Sequence, residues 1–119
     1  MTATLANITV DCDDVARTAG FWSAALDREI GGDPSPYFAS LVPAAPGEPT
    51  WLFLKVPEPK TAKNRFHVDL TAPDRDAEVA RLVELGATRV REVSEYGMSW
   101  VVMADPEGNE FCVAPAGSH

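Results

Sequence analysis

The sequence predicts an α+β fold made of two tandem βαβββ modules, which form one curved mixed sheet with the helices on its outer face. Residues 7–12 and 66–71 both alternate polar and apolar side chains, the period of a half-buried strand. Each strand is followed by an aspartate and then by an apolar stripe at helical spacing. Because Asp74 follows Asp14 by 60 residues, we interpret the chain as a repeated module.

Length and charge limit the function classes. The chain has 119 residues, 45% of them hydrophobic, which predicts a single domain over 1–119. We expect module 1–56 and module 65–116, joined by the polar linker 57–64. The net charge of -8 includes no basic stripe for nucleic acid, and no apolar run approaches the roughly 18 residues of a membrane span. With no signal peptide and no disulfide framework, we expect a cytoplasmic protein that binds neither nucleic acid nor membrane.

In the first module, a strand over 7–12 precedes Asp13 and Asp14, which suit the start of a helix. The apolar stripe of that helix consists of Val15, Ala19, Trp22 and Leu26. Turn-rich loops then separate two further strands, over 37–42 and 51–56. The remaining strand of this module is only weakly marked.

In the second module, a strand over 66–71 precedes Asp74 and a second helix, and Gly86 suits the end of that helix. Three strands follow, over 88–93, 99–104 and 110–114. The stretch ADPEGNE, 104–110, predicts a tight turn between the last two.

The alternation also predicts a polar, concave face opposite the helices. Each helix must pack on the apolar side of its sheet, so we expect Phe66, Val68 and Leu70 to face the second helix. In the last strand we place Phe111 and Val113 against the helix and Cys112 in the concavity.

The ligand-binding candidates on this concave face are His67, Asp69, Cys112 and, by the offset, Asn7. Aromatic side chains of inner strands, which bind flat or apolar ligands when they line a concavity, are further candidates: Trp51, Phe53 and Trp100. The sequence does not say which face of their strands is concave. Lys63 and Arg65 flank the fifth strand, where we expect them to be solvated.

Three stretches of the sequence resemble one superfamily. ITVDCDDVARTAGFWSAAL, FHVDLTAPDRDAEVARLVELGA and ADPEGNEFCV are similar to the vicinal oxygen chelate superfamily, which includes glyoxalase I, extradiol dioxygenases and bleomycin-resistance proteins. The nearest likeness is to small bacterial glyoxalase-like domains. In metal-dependent members, four strand positions supply His, Glu or Gln to one divalent ion. The resemblance implies the duplicated fold, while the function needs its own evidence.

The resemblance carries over to the metal positions only in part. They fall on Asn7, near Leu52, on His67 and on Cys112, so only His67 matches the superfamily pattern. We therefore expect no cofactor and no metal centre of the usual type. Asp69 lies two residues beyond His67, and Asp11 lies four residues beyond Asn7, each on the same face of its strand. A divalent metal held by an altered ligand set therefore stays an alternative.

Three functions remain open at this stage. The first is a binding module without a metal, whose concave sheet holds a small, partly aromatic molecule. The net charge weakly favours a cationic or neutral ligand. The second is a metal-dependent lyase, isomerase or dioxygenase with altered ligands. The third is a regulatory or partner-binding domain.

Two of the candidate residues, His67 and Cys112, each have two possible roles. His67 is the best candidate for a catalytic role, against a structural role in which it bonds Asp69. Cys112 is either a nucleophile or a small buried apolar residue. A homodimer is expected, because pairing would cover sheet edges and open concavities.

Overall fold

The computed structural model describes residues 2–116. These form the elements β1 (Asn7–Cys12), α1 (Val15–Leu26), β2 (Phe38–Leu41), β3 (Thr50–Lys55), β4 (Val68–Ala72), α2 (Arg75–Leu85), β5 (Thr88–Glu95), β6 (Met98–Ala104) and β7 (Glu110–Pro115). The chain divides into two compact units, Met1–Pro59 and Lys60–His119, which we call the first and second modules. Among the described residues, no helix is long and apolar enough to cross a membrane.

The first module holds a three-stranded sheet of order β1-β3-β2. Strand β1 runs parallel to β3, and β2 runs antiparallel to it. Where the sequence predicts a weakly marked strand, the structure has only an isolated β-bridge between Ile30 and Leu41. The segment after Ile30 is rich in glycine and proline, and Asp33 has a positive φ of 60°. Such a segment cannot continue a strand, so this module has one strand fewer than expected.

The second module holds a four-stranded sheet of order β4-β7-β6-β5. The repeat shows in the register, because the paired residues of the parallel strands are 43 positions apart both for Ile8 with Trp51 and for Val68 with Phe111. The α+β class and the tandem modules are therefore confirmed. The strands form two hydrogen-bonded sheets, however, where the sequence predicts one. Period-two alternation identifies strands but does not specify which edges bond.

Both helices begin at the expected aspartates. The Asp14 carboxylate accepts a hydrogen bond from the Arg17 amide, and the Asp74 carboxylate accepts one from the Ala77 amide, both at 3.1 Å. Helix α2 ends at Gly86, whose φ of 123° suits a residue without a Cβ. The turn before β7 is held by buried Asp105, which accepts hydrogen bonds from two backbone amides at 2.9 Å.

The core of the first module includes two residues that the sequence assigns to a pocket. Trp51 packs against Trp22 of α1 with ring centroids 5.0 Å apart, and Phe53 has no exposed surface. Both lie on the helix side of β3, so the structure corrects their assignment as ligand-binding residues. Burial against α1 decides the orientation, and strand periodicity alone does not reveal which face that is.

The start of β4 also differs from the expectation. The strand begins at Val68, and Phe66 precedes it with 92% of its surface exposed. Phe66 therefore does not face α2, whereas Phe111 and Val113 are fully buried as expected. The alternating pattern runs two residues beyond the hydrogen-bonded strand, because polar-apolar alternation carries no signal for where the pairing stops.

Candidate functional site

A pocket of about 430 Å³ lies on the face of the second module's sheet opposite α2. Asp69 pairs with Cys112 across the parallel strands, and Val102 pairs with Cys112 across the antiparallel ones. Residues directly opposite one another project to the same face, so these three strands bring their side chains together. The walls include His67, Asp69, Trp100, Val102 and Cys112.

The pocket has an apolar side built from β6. Met98, Trp100 and Val102 alternate along this strand, and all three line the cavity. Strand alternation alone leaves the face of Trp100 open, and Trp100 lies in the pocket wall. An indole and two aliphatic side chains form a surface that suits a flat or apolar group.

A cluster of three titratable side chains lies beside that apolar wall. The His67 Nε2 atom is 3.4 Å from an Asp69 carboxylate oxygen, and one atom from each of His67, Asp69 and Cys112 lies within 4.8 Å of the others. Burial, and then the Asp69 carboxylate, raise the pKa of the Cys112 thiol above its ordinary value, although Lys63 and Arg91 act in the opposite direction. A thiol that stays protonated is a weak nucleophile, which favours the apolar role of Cys112.

Glu110 lies at the polar end of the pocket, where its negative charge is balanced by a neighbouring cation. Its carboxylate lies 3.3 Å from the Lys60 ammonium and accepts a hydrogen bond from the Asn64 amide at 3.3 Å. The Asn64 side-chain oxygen in turn accepts from the Glu110 amide at 3.1 Å. Burial raises the pKa of Glu110, but its own backbone amide, the Asn64 amide and Lys60 together outweigh burial, so the pKa is lowered overall. The end of the predicted linker is thus tied to the start of β7.

Two cationic residues of the pocket are missing from the sequence-based candidates. Lys63 lines the cavity, where the sequence suggests only a solvated position, and Arg91 of β5 lines it as well. The alternation of TRVREV would put Arg89 and Arg91 on the same face. An irregularity in the β5 register between them breaks that relation, and nothing in the sequence marks it.

Asn7 belongs to the first module, where it is an exposed residue at the start of β1. It pairs with Thr50 of β3. The pocket described above is formed by second-module residues, and a ligand-binding role for Asn7 stays a prediction.

The donor chemistry can be compared with the metal centre that the superfamily implies. Of its four positions, Asn7, Leu52 and Cys112 depart from the usual His, Glu or Gln. Cys112, His67 and Asp69 together offer one soft and two harder donors, which is not the set that the superfamily uses. The adjacent cations Lys63 and Arg91 also repel a metal ion. The residues present therefore do not fit the usual centre.

Solved structures share this fold. A glyoxalase/bleomycin resistance protein/dioxygenase family enzyme from Burkholderia phytofirmans PsJN has a TM-score of 0.77 and 19% identity, over 95% of this chain and 98% of that one. A lactoylglutathione lyase from Agrobacterium tumefaciens has a TM-score of 0.67 and 15% identity, over 100% of both chains. At these identities, the likeness shows the fold alone.

A third similar structure carries ligands. It is a mutant of the fosfomycin resistance protein FosX from Listeria monocytogenes, complexed with Mn(II) and 1S,2S-dihydroxypropylphosphonic acid. Its TM-score is 0.77 and its identity 15%, over 96% of this chain and 90% of that one.

No curated protein matches the chain significantly. The glyoxalase-like domain model matches residues 7–114, which is most of the chain. The chain therefore belongs to the glyoxalase-like domain family, within the vicinal oxygen chelate superfamily.

Proposed function

We propose that this glyoxalase-like domain binds a small, partly aromatic molecule in the second-module pocket, without the superfamily's usual metal centre. The observation that carries the proposal is the composition of the pocket wall. An apolar strip of Met98, Trp100 and Val102 faces a polar cluster around His67. A pocket of about 430 Å³ falls within the size range of small-molecule sites.

The two sides of the pocket have different roles in this proposal. Trp100 supplies a flat surface for an aromatic ring, which Met98 and Val102 extend. His67 and Asp69, 3.4 Å apart, fix the polar atoms of the ligand by hydrogen bonds. His67 presents ring nitrogens that donate or accept according to tautomer, so it suits either kind of ligand atom.

Thermal unfolding in the presence of one- and two-ring aromatic compounds tests this proposal. A ligand at 100 times its Kd stabilises the native state by about 2.7 kcal/mol, which raises Tm by several degrees. We expect the rise to be lost in His67→Ala and in Trp100→Ala. Arg65→Ala is the matched control for His67→Ala, because it removes an exposed side chain two residues away.

The outcomes separate binding from folding. His67 and Arg65 are both exposed, so neither substitution should change Tm by much without ligand. If no compound in a broad panel raises Tm, the binding proposal fails and a regulatory or partner-binding domain becomes the better account. If His67→Ala and Arg65→Ala respond equally, His67 has no part in binding.

A metal-dependent lyase, isomerase or dioxygenase is the second candidate. One observation favours it: atoms of His67, Asp69 and Cys112 lie close enough to hold one ion. Three protein ligands and an open position are typical of catalytic zinc. Elemental analysis after dialysis decides between the two candidates. A stoichiometric divalent metal that disappears in Asp69→Ala would support the second and overturn the first.

We also propose that the protein acts as a homodimer. Strands β4 and β5 form the two edges of the second-module sheet, and pairing with a second copy is one way to cover such an edge. Equilibrium sedimentation should give twice the chain mass of 12.8 kDa. A monomer at high concentration contradicts this proposal and leaves the pocket proposal intact.

A further inference from the structure

Two cations of the pocket form no ion pair within the described part of the chain. Lys63 and Arg91 both line the cavity. Across residues 2–116, none of the ion pairs includes either side chain. Both side chains are exposed, so they can reach a ligand in the pocket without first breaking a salt bridge.

The nearby carboxylates contact groups other than Lys63 and Arg91. Glu110 is held by Lys60 and by the Asn64 amide, and Asp69 lies beside His67. Glu92, the neighbour of Arg91 in β5, lies 3.2 Å from Arg75 and 3.8 Å from Arg89. The pocket wall thus has two cations, Lys63 and Arg91, and two carboxylates, Asp69 and Glu110. Of these carboxylates, Glu110 already pairs with Lys60 outside the wall, in a chain whose net charge is -8.

A backbone irregularity brings Arg91 into the pocket. In β5, Arg89 pairs with Met103, which is fully buried on the helix side of β6. Arg91 pairs with Val102, which lines the pocket. Residues two apart in a regular strand share a face, but the register shift at Val90 places these two arginines on opposite faces. Bulges often redirect a side chain in this way near functional sites.

From these observations we infer that the pocket selects aromatic molecules that carry an anionic group, such as a carboxylate. The guanidinium of Arg91 and the ammonium of Lys63 bind the anionic group, and the ring lies against Trp100. This inference rests on the proposed function and names its ligand class. It also reverses the weak preference for a cationic or neutral ligand that the net charge suggests, because two unpaired cations act on the ligand at short range, whereas charges more than about 10 Å away are screened by salt.

Calorimetric titration of the full chain with three matched probes tests the inference. The probes are 2-naphthoate, 2-naphthamide and 2-naphthamidine, which share one ring system and differ in charge. We expect the naphthoate to bind about tenfold more tightly than the amide, as one charge-assisted interaction would provide. The amidine should bind most weakly. The preference for the acid should shrink in 1 M NaCl, because salt screens exposed charges.

Variants identify the residues responsible. Arg91→Ala and Lys63→Ala should each lose most of the acid-over-amide preference while still binding the amide. Arg89→Ala is the matched control in the same strand on the opposite face, and Arg65→Ala is the control for Lys63→Ala. Both controls should keep the preference, and all four variants should unfold near the wild-type Tm.

The results distinguish this inference from the function beneath it. If acid and amide bind equally and both lose affinity in Trp100→Ala, the pocket binds aromatic ligands and only the charge selection is overturned. Tightest binding by the amidine also overturns it. If none of the probes binds, the selection and the binding proposal fail together.

Discussion

The two modules share their backbone arrangement and differ in the side chains opposite the helices. In both, the parallel strands pair at the same sequence separation and the helix begins at an aspartate that accepts a 3.1 Å hydrogen bond. At positions 60 apart, however, the first module has Asn7, Thr9 and Leu52, whereas the second has His67, Asp69 and Cys112. A repeated backbone thus preserves equivalent positions, and substitution at those positions creates the pocket chemistry.

The modules also differ in the strand beyond the helix. The second module has an eight-residue β5 that carries Arg91, whereas the first has only the bridge at Ile30. The position equivalent to Arg91 therefore falls in the glycine- and proline-rich segment after Ile30. Loss of that strand removes the element from which a cation reaches the pocket in the second module.

The largest expected effect separates a core tryptophan from a pocket tryptophan. Trp51→Ala should lower the free energy of unfolding by about 3–5 kcal/mol, because it empties a buried site against Trp22. Trp100→Ala should lower it by less, because Trp100 is only half-buried, and should abolish ligand stabilisation. Urea denaturation measures the first effect, and thermal unfolding with ligand measures the second.

A reversed result would contradict the placement of the two residues. If Trp51→Ala were mild and removed ligand binding, the first module would contain the functional face. Phe21→Ala is the control, since it removes another buried aromatic residue of the first module. It should destabilise the chain and leave the ligand preference unchanged.

The sequence predicts most of the fold because its signals are local. Asp14, Asp74 and Gly86 mark helix ends by hydrogen bonding and backbone conformation, and each occupies the expected position. His67, Asp69 and Cys112 share a pocket because strand alternation and repeat offset together determine their face. These features depend on spacing, which a sequence displays directly.

The missed features depend on contacts between elements or on backbone irregularity. Trp51 and Phe53 are buried because α1 covers that face of β3, which residue type does not reveal. Arg91 reaches the pocket through the shift at Val90, and Lys63 through a segment tied down by Asn64. In a strand pattern, an arginine directed into a pocket and one directed into solvent look alike.

A smaller effect concerns the stability of the protein at acid pH. The last strand of the second module begins with a carboxylate, Glu110, whereas the last strand of the first module begins with Thr50. The Glu110 pKa is lower in the folded protein than its ordinary value of 4.5, so Glu110 stabilises the fold above that pH. This contribution is lost as the pH falls through the folded pKa. Glu110→Gln should lower stability at pH 7 by on the order of 1 kcal/mol, less than a full charge-assisted hydrogen bond.

The pH profile distinguishes this effect from a general packing defect. Between pH 6 and pH 3, the free energy of unfolding of Glu110→Gln should fall less than that of the wild type. Urea titrations across this range measure the difference. Glu58→Gln, which changes an exposed carboxylate near the module boundary, should retain the wild-type pH dependence. Parallel profiles for wild type and Glu110→Gln would show that Glu110 is not responsible.

The helix caps test the equivalence of the modules more finely. Asp14→Ala and Asp74→Ala should each destabilise the protein by about 1 kcal/mol, since each removes one capping bond of the same length. The corresponding asparagine variants should retain most of the stability, because asparagine caps helices as well as aspartate. Guanidinium denaturation of the four variants checks both statements. A large cost at only one position would mean that the repeat is not equivalent at the helix start.

The smallest effect concerns the two free cysteines, which lie on different sides of their sheets. Cys12 is fully buried on the helix side of β1, whereas Cys112 lies at the pocket wall with 8% of its surface exposed. We expect iodoacetamide to modify Cys112 in the native protein slowly at pH 7, because its pKa is raised by burial and then by Asp69. The rate should increase as the pH rises toward that pKa, and an aromatic ligand should suppress it.

Variants identify which of the two cysteines is modified in the native protein. Cys112→Ser should abolish the native-state modification, and Cys12→Ser should leave it unchanged. Asp69→Asn should accelerate it at pH 7, because removing a nearby negative charge lowers the thiol pKa and increases the thiolate fraction. Mass spectrometry of the modified peptides measures all three. If Cys12 reacts first, or if ligand protects both thiols equally, the reaction reports global opening, and the contrast between a closed core and an open pocket face would not hold.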